Sequence, residues 1–360
     1  MGMKIQVEQP PISKSITEFQ SNQGAKVFLL PLEAFTDFWV NSYLVILDGQ
    51  KVLIDTGSGF GDCNDHLLEK IREVSGQLGE SVDLSSIDLI LITHGHIDHY
   101  GGLPFISERS NASIGIHELD LRALINPEER LLQIVQKLGE YCEKSGVPEE
   151  QRNELVQMYQ LTKLNFLPVE VDFTFESIGM ELGPFRILHV PGHCAGHVVI
   201  RLHDFLFSGD HVLKEISPHQ NPESLMRNTG LEHYLRSLNS LKSWSDGISI
   251  TFPGHDGPIA DLGDRIKAIE GVHALRLKYI QDILRTPHTI NEISKILFPG
   301  TRGFNQLLAL EETGAHVEYL FDRGILSIET SEHTLHGKTN VPIHYCLNPT
   351  IPGRDEISWN

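Results

Sequence analysis

Cysteine is scarce in this sequence, which has four among 360 residues. They are Cys63, Cys142, Cys194 and Cys346, and no two stand at the close spacing of structural zinc sites or redox motifs. We therefore expect free thiols rather than a disulfide scaffold. Cys194 follows a histidine and could be read as a nucleophile. We prefer the simpler interpretation, in which it fills a small-residue position in a tight loop.

Positive charge and long apolar runs are also in short supply. The chain has 29 Lys and Arg against 48 Asp and Glu, a formal net charge of -19. Such a negatively charged surface disfavours nonspecific binding to the phosphate backbone of nucleic acids. No apolar run approaches the length of about 20 residues that a membrane helix needs, and the first residues lack the apolar core of a signal peptide. We expect a cytoplasmic protein that acts on a small molecule away from membranes, with RNA left open as a substrate.

The pattern of apolar residues predicts an α+β fold. The length predicts two domains, because one compact core seldom holds so many residues. Strands are predicted in blocks at 26–32, 41–59, 87–93, 112–118 and 169–210, and helices at 62–78 and 222–245. The block at 41–59 contains a hairpin that turns at Asp48-Gly49. Blocks of strands separated by helices indicate two packed sheets with helices outside, over residues 1–262.

Residues 127–165 predict a helical hairpin inserted between strands. Both of its segments open with Pro-Glu-Glu, as helices often do, and apolar residues recur at helical spacing. The hairpin is either an extra packing layer or a lid over a substrate pocket, and the sequence leaves both open. For the lid, the candidate pocket residues are Tyr141, Met158, Tyr159 and Phe166.

Residues 263–360 predict a second domain of the winged-helix type. Three helices, near 264–285, 286–298 and 304–323, precede two strand-like stretches. Winged helices often bind DNA through a basic face, but residues 261–330 hold eight Lys or Arg against ten Asp or Glu. We interpret the tail as a structural or dimerising module, with a possible homodimer, and expect no duplex DNA binding. A DNA-binding regulator is the less favoured alternative.

The stretch LITHGHIDHYGG places three histidines and an aspartate directly after an apolar strand. His94 and His96 lie two residues apart at the end of the strand, so they can point the same way. Asp98 and His99 follow a tight turn and lie on a different side. Two such pairs suit two neighbouring metal ions better than one. A histidine-rich surface loop is the alternative, but it does not explain the apolar strand that leads into it.

Three more apolar strands end in glycine beside a histidine or aspartate. VPGHCAGH offers His193, FLFSGDH offers Asp210 and ITFPGHDG offers His255. Together with the first cluster they make five histidines and two aspartates. This set suits two borderline metals such as zinc, with one carboxylate bridging them.

The motifs LIDTG, HGHIDH, PGHCAGH, SGDH and PGHD, spread in this order over some 200 residues, make the sequence similar to the metallo-β-lactamase superfamily. The resemblance implies an αββα sandwich with a dinuclear site at one edge. It also implies a role for each motif residue. The first metal would be held by His94, His96 and His193, and the second by Asp98, His99 and His255. Asp210 would bridge the two metals. Asp55 and His197 would orient the metal ligands without contacting the metals themselves.

Because it has both the Asp98-His99 pair and Asp210, the sequence resembles the hydrolase branch of this superfamily. That branch includes hydroxyacylglutathione hydrolases (glyoxalase II), lactonases and ribonucleases. The tail is similar to that of β-lactamase-like protein 2 and unlike the glutathione-binding tail of glyoxalase II. The resemblance implies a metal-dependent hydrolase in which Asp98 orients a metal-bridging hydroxide that cleaves a small ester, thioester or lactone. Endoribonuclease or phosphodiesterase action is the alternative. The metals would be two zinc ions, with iron or manganese as alternatives.

Overall fold

The computed structural model describes residues 14–161, 166–329 and 341–349, which form two β-sheets packed face to face. The first sheet has seven strands in the order of the chain: β1 Thr17–Gln20, β2 Lys26–Phe35, β3 Phe38–Leu47, β4 Gln50–Ile54, β5 Leu89–Leu91, β6 Ser113–Ile116 and β7 Phe173–Thr174. The second has five, in the order β12-β11-β10-β9-β8: β8 Glu181–Leu182, β9 Phe185–His189, β10 Val198–Leu202, β11 Phe205–Gly209 and β12 Ile250–Pro253.

Helices flank both sheets. They are α1 Cys63–Leu78, α2 Ile97–Tyr100, α3 Leu103–Ser107, α4 Glu118–Ile125, α5 Pro127–Lys144, α6 Glu149–Leu161, α7 Leu231–Trp244, α8 Leu262–Ile283, α9 Ile290–Leu297 and α10 Phe304–Asp322. A small antiparallel ribbon, β13 Leu326–Ile328 and β14 Tyr345–Leu347, follows α10. Within the described ranges, each helix is too short or too polar to cross a membrane.

The alternation of side chains along β2 shows why its apolar run is continuous. Val27 and Leu29 point into the cluster between the two sheets, whereas Phe28 and Leu30 point into the cluster beneath α1. Successive strand residues face opposite sides, so a strand that is covered on both sides is apolar throughout. The layers therefore run helix, sheet, sheet, helix, and the predicted αββα sandwich is confirmed.

The predicted hairpin at Asp48-Gly49 joins β3 and β4, with Leu47 paired to Gln50. Both turn residues have positive φ, 51° and 82°. A two-residue turn of this kind matches the twist of the strands, which is why Asp-Gly is favoured there.

One hydrophobic cluster covers the outer face of the second sheet. It joins Leu206 of β11 and Tyr234 of α7 to Leu155 of α6 and Leu320 of α10. The inserted hairpin and the tail are thus packed on the sandwich through a shared apolar interior. The proposed boundary at 262/263 falls where α8 begins, and the order of three helices and a ribbon is as predicted; the division into domains and the winged-helix assignment stay predictions.

Several elements are shorter than the sequence-based expectation, and one helix and one strand illustrate this. The helix expected at 222–245 begins only at Leu231, because Gly230 has a φ of 99° and interrupts the helical backbone. The strand expected at 169–175 is limited to Phe173–Thr174. Residues 162–165 of the hairpin, and 330–340 and 350–360 of the tail, lie outside the described part of the chain.

Candidate metal centre

The ends of strands from both sheets meet at one edge of the sandwich. β4 and β5 are parallel and end just before Asp55 and His94, and β11 and β12 are parallel and end before Asp210 and His255. His193 follows β9. Parallel strands present their carboxyl ends at the same edge, so residues far apart in the sequence become neighbours there.

The seven predicted ligands form two groups in which the ligand atoms lie within 4.8 Å of one another. The members are His94, His96, His193 and Asp210 in the first group, and Asp98, His99 and His255 in the second.

Asp210 lies between these groups. Its Oδ1 is 3.4 Å from His99 Nε2, and its Oδ2 is 3.7 Å from His193 Nε2 and 3.3 Å from His255 Nε2. One carboxylate therefore faces imidazoles from both groups. Gly254 lies beside this carboxylate in the fold. A larger residue would not fit there, because a Cβ atom on Gly254 would lie 2.3 Å from Asp210 Oδ1.

Three buried side-chain nitrogen and oxygen atoms at the centre lack a hydrogen-bond partner in the described structure. His94 Nε2, His99 Nε2 and Asp210 Oδ1 are enclosed and have no hydrogen bond within the described structure. Leaving a buried polar atom unsatisfied costs about 1–3 kcal/mol. A divalent cation would satisfy all three, and imidazole and carboxylate are donors that such ions accept. The cluster is therefore suited to binding divalent metal.

The far sides of the imidazoles are fixed by hydrogen bonds. His193 Nδ1 donates to the carbonyl oxygen of His219 at 2.7 Å, and His255 Nδ1 donates to that of Trp39 at 2.6 Å. A carbonyl can only accept, so in the neutral imidazole Nε2 carries the lone pair and faces the centre. Metal-binding histidines are commonly oriented in this way.

Asp55 holds His99 from behind. One carboxylate oxygen, Oδ2, accepts from His99 Nδ1 at 2.8 Å and from Thr93 Oγ1 at 2.8 Å, and Oδ1 accepts from the Thr93 amide at 2.8 Å. Asp55 adopts a left-handed backbone conformation, φ 57°, which is unfavourable for a residue with a Cβ atom. The fold maintains this strain where it aims the carboxylate at His99.

Asp55→Ala is expected to weaken metal binding by about 10–100-fold, because His99 loses the partner that orients its ring. Chelator competition followed by elemental analysis measures this loss. Asp62→Ala is the matched control, since Asp62 is exposed and its side chain makes no cap hydrogen bond to α1. Equal metal affinity in both variants would contradict the role of Asp55.

The electric field at the centre favours positive charge. Burial opposes a charge on His255, but Asp210 and Asp98 prevail and raise its pKa to about 10. Burial also opposes the charge on Asp98 and by itself would raise the pKa of this carboxyl. The nearby His99 and His255 instead hold the pKa well below its usual range. The carboxylates at the centre are thus ionised and can attract cations.

His197 contacts the backbone of the bridging residue. Its Nε2 accepts from the Asp210 amide at 3.0 Å, and its ring stacks on His94 with 4.6 Å between ring centroids. Burial holds the pKa of His197 well below its usual range. A neutral His197 therefore fixes the start of the loop that carries Asp210.

Asp120 is a residue that sequence reasoning missed. Its side chain is fully buried and accepts from the Gly95 amide at 2.8 Å and from the Gly196 amide at 3.1 Å. It therefore ties the HGHIDH loop to the PGHCAGH loop. The signal in the sequence is weak, because Asp120 belongs to helix α4 and no motif surrounds it.

The predicted pocket residues separate into two sets. Tyr141 is buried between α5 and α10, where its hydroxyl donates to the carbonyl oxygen of Leu310 at 3.0 Å. Met158 lies over Gly303 at the start of α10 and packs on the hydrophobic cluster. Both side chains thus contact the tail, and their pocket role stays a prediction.

Tyr159 packs on the same hydrophobic cluster as Met158, whereas Phe166 packs on the cluster that contains Tyr100. Burial raises the pKa of the Tyr159 phenol. The ring of Phe166 is 5.9 Å from Phe60 and 6.4 Å from Tyr100. Phe166 thus contacts the residue that follows His99, and the pocket role of Tyr159 and Phe166 stays a prediction.

Comparison with known proteins identifies the family. Residues 36–255 match the family model of the metallo-beta-lactamase superfamily. The chain belongs to this superfamily. Members are metal-dependent hydrolases, so the prediction of such an enzyme is confirmed at the level of the family.

Relatives agree with this membership. The probable metallo-hydrolase YqjP of Bacillus subtilis is 25% identical over 324 residues, 84% of this chain and 95% of the relative. A beta-lactamase-like protein 2 homolog of Drosophila melanogaster is 30% identical over 178 residues, about half of each protein at 49% and 47%. The crystal structure of the metallo-beta-lactamase family protein TTHA1429 from Thermus thermophilus superposes with a TM-score of 0.66 at 27% identity, covering 89% of this chain and 98% of that one.

Two more distant relatives carry names that specify a reaction. An atrochrysone carboxyl ACP thioesterase of Aspergillus chevalieri is 24% identical over 250 residues, 68% of this chain and 60% of the relative. The endoribonuclease ysh1 of Schizosaccharomyces pombe is 26% identical over 141 residues, 38% of this chain and 17% of the relative.

Proposed function

We propose that this superfamily member is a dinuclear metal-dependent hydrolase of a small ester, thioester or lactone. The observation that carries the proposal is the position of Asp210. Its two carboxylate oxygens face histidines from both ligand groups, and one of them is buried without a hydrogen-bond partner in the described structure. A carboxylate so placed can serve two cations at once.

Each group would hold one ion. The ligands would be His94, His96 and His193 for the first, Asp98, His99 and His255 for the second, and Asp210 for both. Five imidazoles and two carboxylates exceed one tetrahedral site and favour zinc, with iron or manganese as alternatives. When bound, such ions lower the pKa of water and polarise a carbonyl or phosphoryl oxygen.

Asp98 is the carboxylate best placed to act on the attacking water. Its side chain is 14% exposed, against 9% for Asp210 and 3% for Asp55. It lies in the first turn of α2, within 3.4 Å of His255 Nε2. An ionised carboxylate with access to solvent accepts a hydrogen bond from water and orients it towards the substrate.

An apolar acyl group is the substrate portion that the surroundings favour. Phe60, Tyr100 and Phe166 form aromatic contacts beside the centre. A wall of this kind with few polar groups suits a small-molecule pocket. The relative named as a carboxyl ACP thioesterase supports the same class of reaction.

Tyr159→Ala is expected to raise KM about tenfold for an ester or thioester with a bulky acyl group, because the variant loses a contact worth about 1.4 kcal/mol. KM for p-nitrophenyl acetate should change little, since its acetyl group offers a single methyl group for an apolar contact. The matched control is Tyr279→Ala on the exposed side of α8. If both substrates respond alike to Tyr159→Ala, the hairpin is a packing layer and not a lid.

Phosphodiester cleavage is the second candidate. The relative named as an endoribonuclease favours it. The net charge of -19 opposes it, because RNA binding needs a basic groove along the backbone.

A metal-reconstituted substrate screen tests the proposal. The protein is loaded with zinc, iron or manganese and assayed with p-nitrophenyl acetate, a thioester, bis-p-nitrophenyl phosphate and single-stranded RNA. We expect two ions per chain and the highest kcat/KM with the ester or the thioester. At most one tightly bound ion in fully loaded protein would contradict the dinuclear site, and faster turnover of the phosphodiester or RNA would favour the second candidate.

A further inference from the structure

The tail contacts a loop that touches the metal centre. This loop, residues 217–220, includes His219, whose carbonyl oxygen accepts the hydrogen bond from His193 Nδ1 at 2.7 Å. The orientation of the His193 ring therefore depends on where the 217–220 loop lies.

Helices α8 and α10 hold the 217–220 loop at three positions. Glu312 of α10 accepts from the Gln220 amide at 2.8 Å, and Glu311 Oε2 lies 3.2 Å from His219 Nε2. Arg276 of α8 donates to Ser217 Oγ at 3.1 Å. The loop is thus anchored along its length by side chains of the tail.

The anchoring groups are buried charges held in a pair. Arg276 Nη1 donates to Glu312 Oε1 at 2.6 Å, and the side chains are 13% and 7% exposed. Burial would raise the pKa of Glu312, but Arg276 and nearby imidazoles lower it to about 2. A buried charge is costly unless it is paired and hydrogen-bonded, so this arrangement constrains geometry more than it adds stability.

A metal site at the same place is a weaker interpretation. His273, Glu312 and His316 bring ligand atoms together and resemble a third metal cluster. However, the Arg276 guanidinium already neutralises Glu312 and would repel a cation. The two imidazoles also bond to each other, with 3.0 Å between His273 Nδ1 and His316 Nε2. We therefore read the cluster as a hydrogen-bonded network.

We propose that Glu312, paired with Arg276, is a positioning residue for the metal centre. It holds the 217–220 loop so that the His219 carbonyl aims His193 at the metal. The tail is then part of the active site and not only a packing or dimerising module. This inference rests on the proposed function of His193 as a metal ligand.

The test compares Glu312→Gln with Glu318→Gln, which makes the same chemical change on the same helix, at a side chain that contacts Ser224 and not the 217–220 loop. Chelator competition measures metal affinity, and thermal unfolding of the metal-free protein measures stability. For Glu312→Gln we expect metal affinity to fall about tenfold, at the lower end of the effect of residues behind metal ligands, because Glu312 acts on His193 through the peptide group that joins His219 to Gln220. Glu318→Gln should leave metal affinity unchanged.

A loss of metal-free stability with unchanged metal affinity in Glu312→Gln would overturn the proposal, since a purely structural residue acts in that way. If Glu312→Gln does not fold, Glu311→Gln takes its place, because it removes the partner of the His219 ring and keeps the ion pair of Arg276 with Glu312. Metal affinity should then fall in Glu311→Gln, and an unchanged affinity overturns the proposal.

His193→Ala distinguishes a failure of the proposed metal centre from a failure of the proposed role of the tail. If it keeps both ions, the proposed metal centre is wrong; if it loses metal while Glu312→Gln does not, only the role of the tail is wrong.

Discussion

Asp210→Ala is expected to lose metal and hydrolytic activity together. Asp210 is the side chain that faces both ligand groups, with its oxygens 3.3–3.7 Å from His99, His193 and His255. Without it, the two ligand groups lose the carboxylate between them, and Asp98 is left as the one carboxylate among the proposed ligands. Metal ions supply several kcal/mol of transition-state stabilisation, so kcat/KM should fall by about 10³-fold or more.

Elemental analysis after dialysis should find at most one ion per chain in Asp210→Ala. The exposed residue Asp246 provides the control, since Asp246→Ala removes the same charge away from the centre. Circular dichroism should show that both variants are folded, because the sandwich core does not include Asp210. Two tightly bound ions with normal turnover in Asp210→Ala would exclude it as a bridging ligand.

Replacing residues 128–165 with a short Gly-Ser linker is expected to unfold the chain. A hairpin that served only as a lid could be removed with both metals retained, but the packing of this hairpin predicts the opposite. Leu138, Tyr141, Cys142 and Leu155 are buried in one cluster with α7, α8 and α10. Loss of a buried leucine side chain alone costs about 2–5 kcal/mol, so removing all four approaches the total stability of a typical domain, about 5–15 kcal/mol.

Thermal or denaturant unfolding of the linker variant measures this effect. Leu132→Ala is an informative control within the hairpin, because Leu132 is 69% exposed and its truncation should leave stability nearly unchanged. If the linker variant unfolds cooperatively near the midpoint of the full chain, the hairpin contributes little to the core. The lid hypothesis would then be testable by deletion as well as by Tyr159→Ala.

The ligand motifs could be predicted because their signal is local. Each combines an apolar strand with a glycine and a histidine or aspartate, and His94, His193, Asp210 and His255 all follow strand ends in the structure. Sheet geometry then brings such ends to one edge. The αββα layering was predictable for a similar reason, since burial on both faces makes strands such as β2 apolar throughout.

The hairpin shows the limit of local patterns. Helical spacing predicted α5 and α6, because amphipathic periodicity is contained within a segment. The same spacing cannot tell which neighbour covers the apolar face, and only the structure shows that the Tyr141 hydroxyl donates to the carbonyl oxygen of Leu310 in the tail.

The sequence by itself determined the family, the strands and the metal-ligand motifs of this protein, because each depends on residues close together in the chain. Only the tertiary structure decided how these ligands are held. Asp120 contacts an amide 25 residues away, His193 a carbonyl 26 residues away, and Glu312 an amide 92 residues away. Hydrogen bonds between single groups at such separations leave no periodic pattern, so their partners are set by packing and are visible only once the chain is folded.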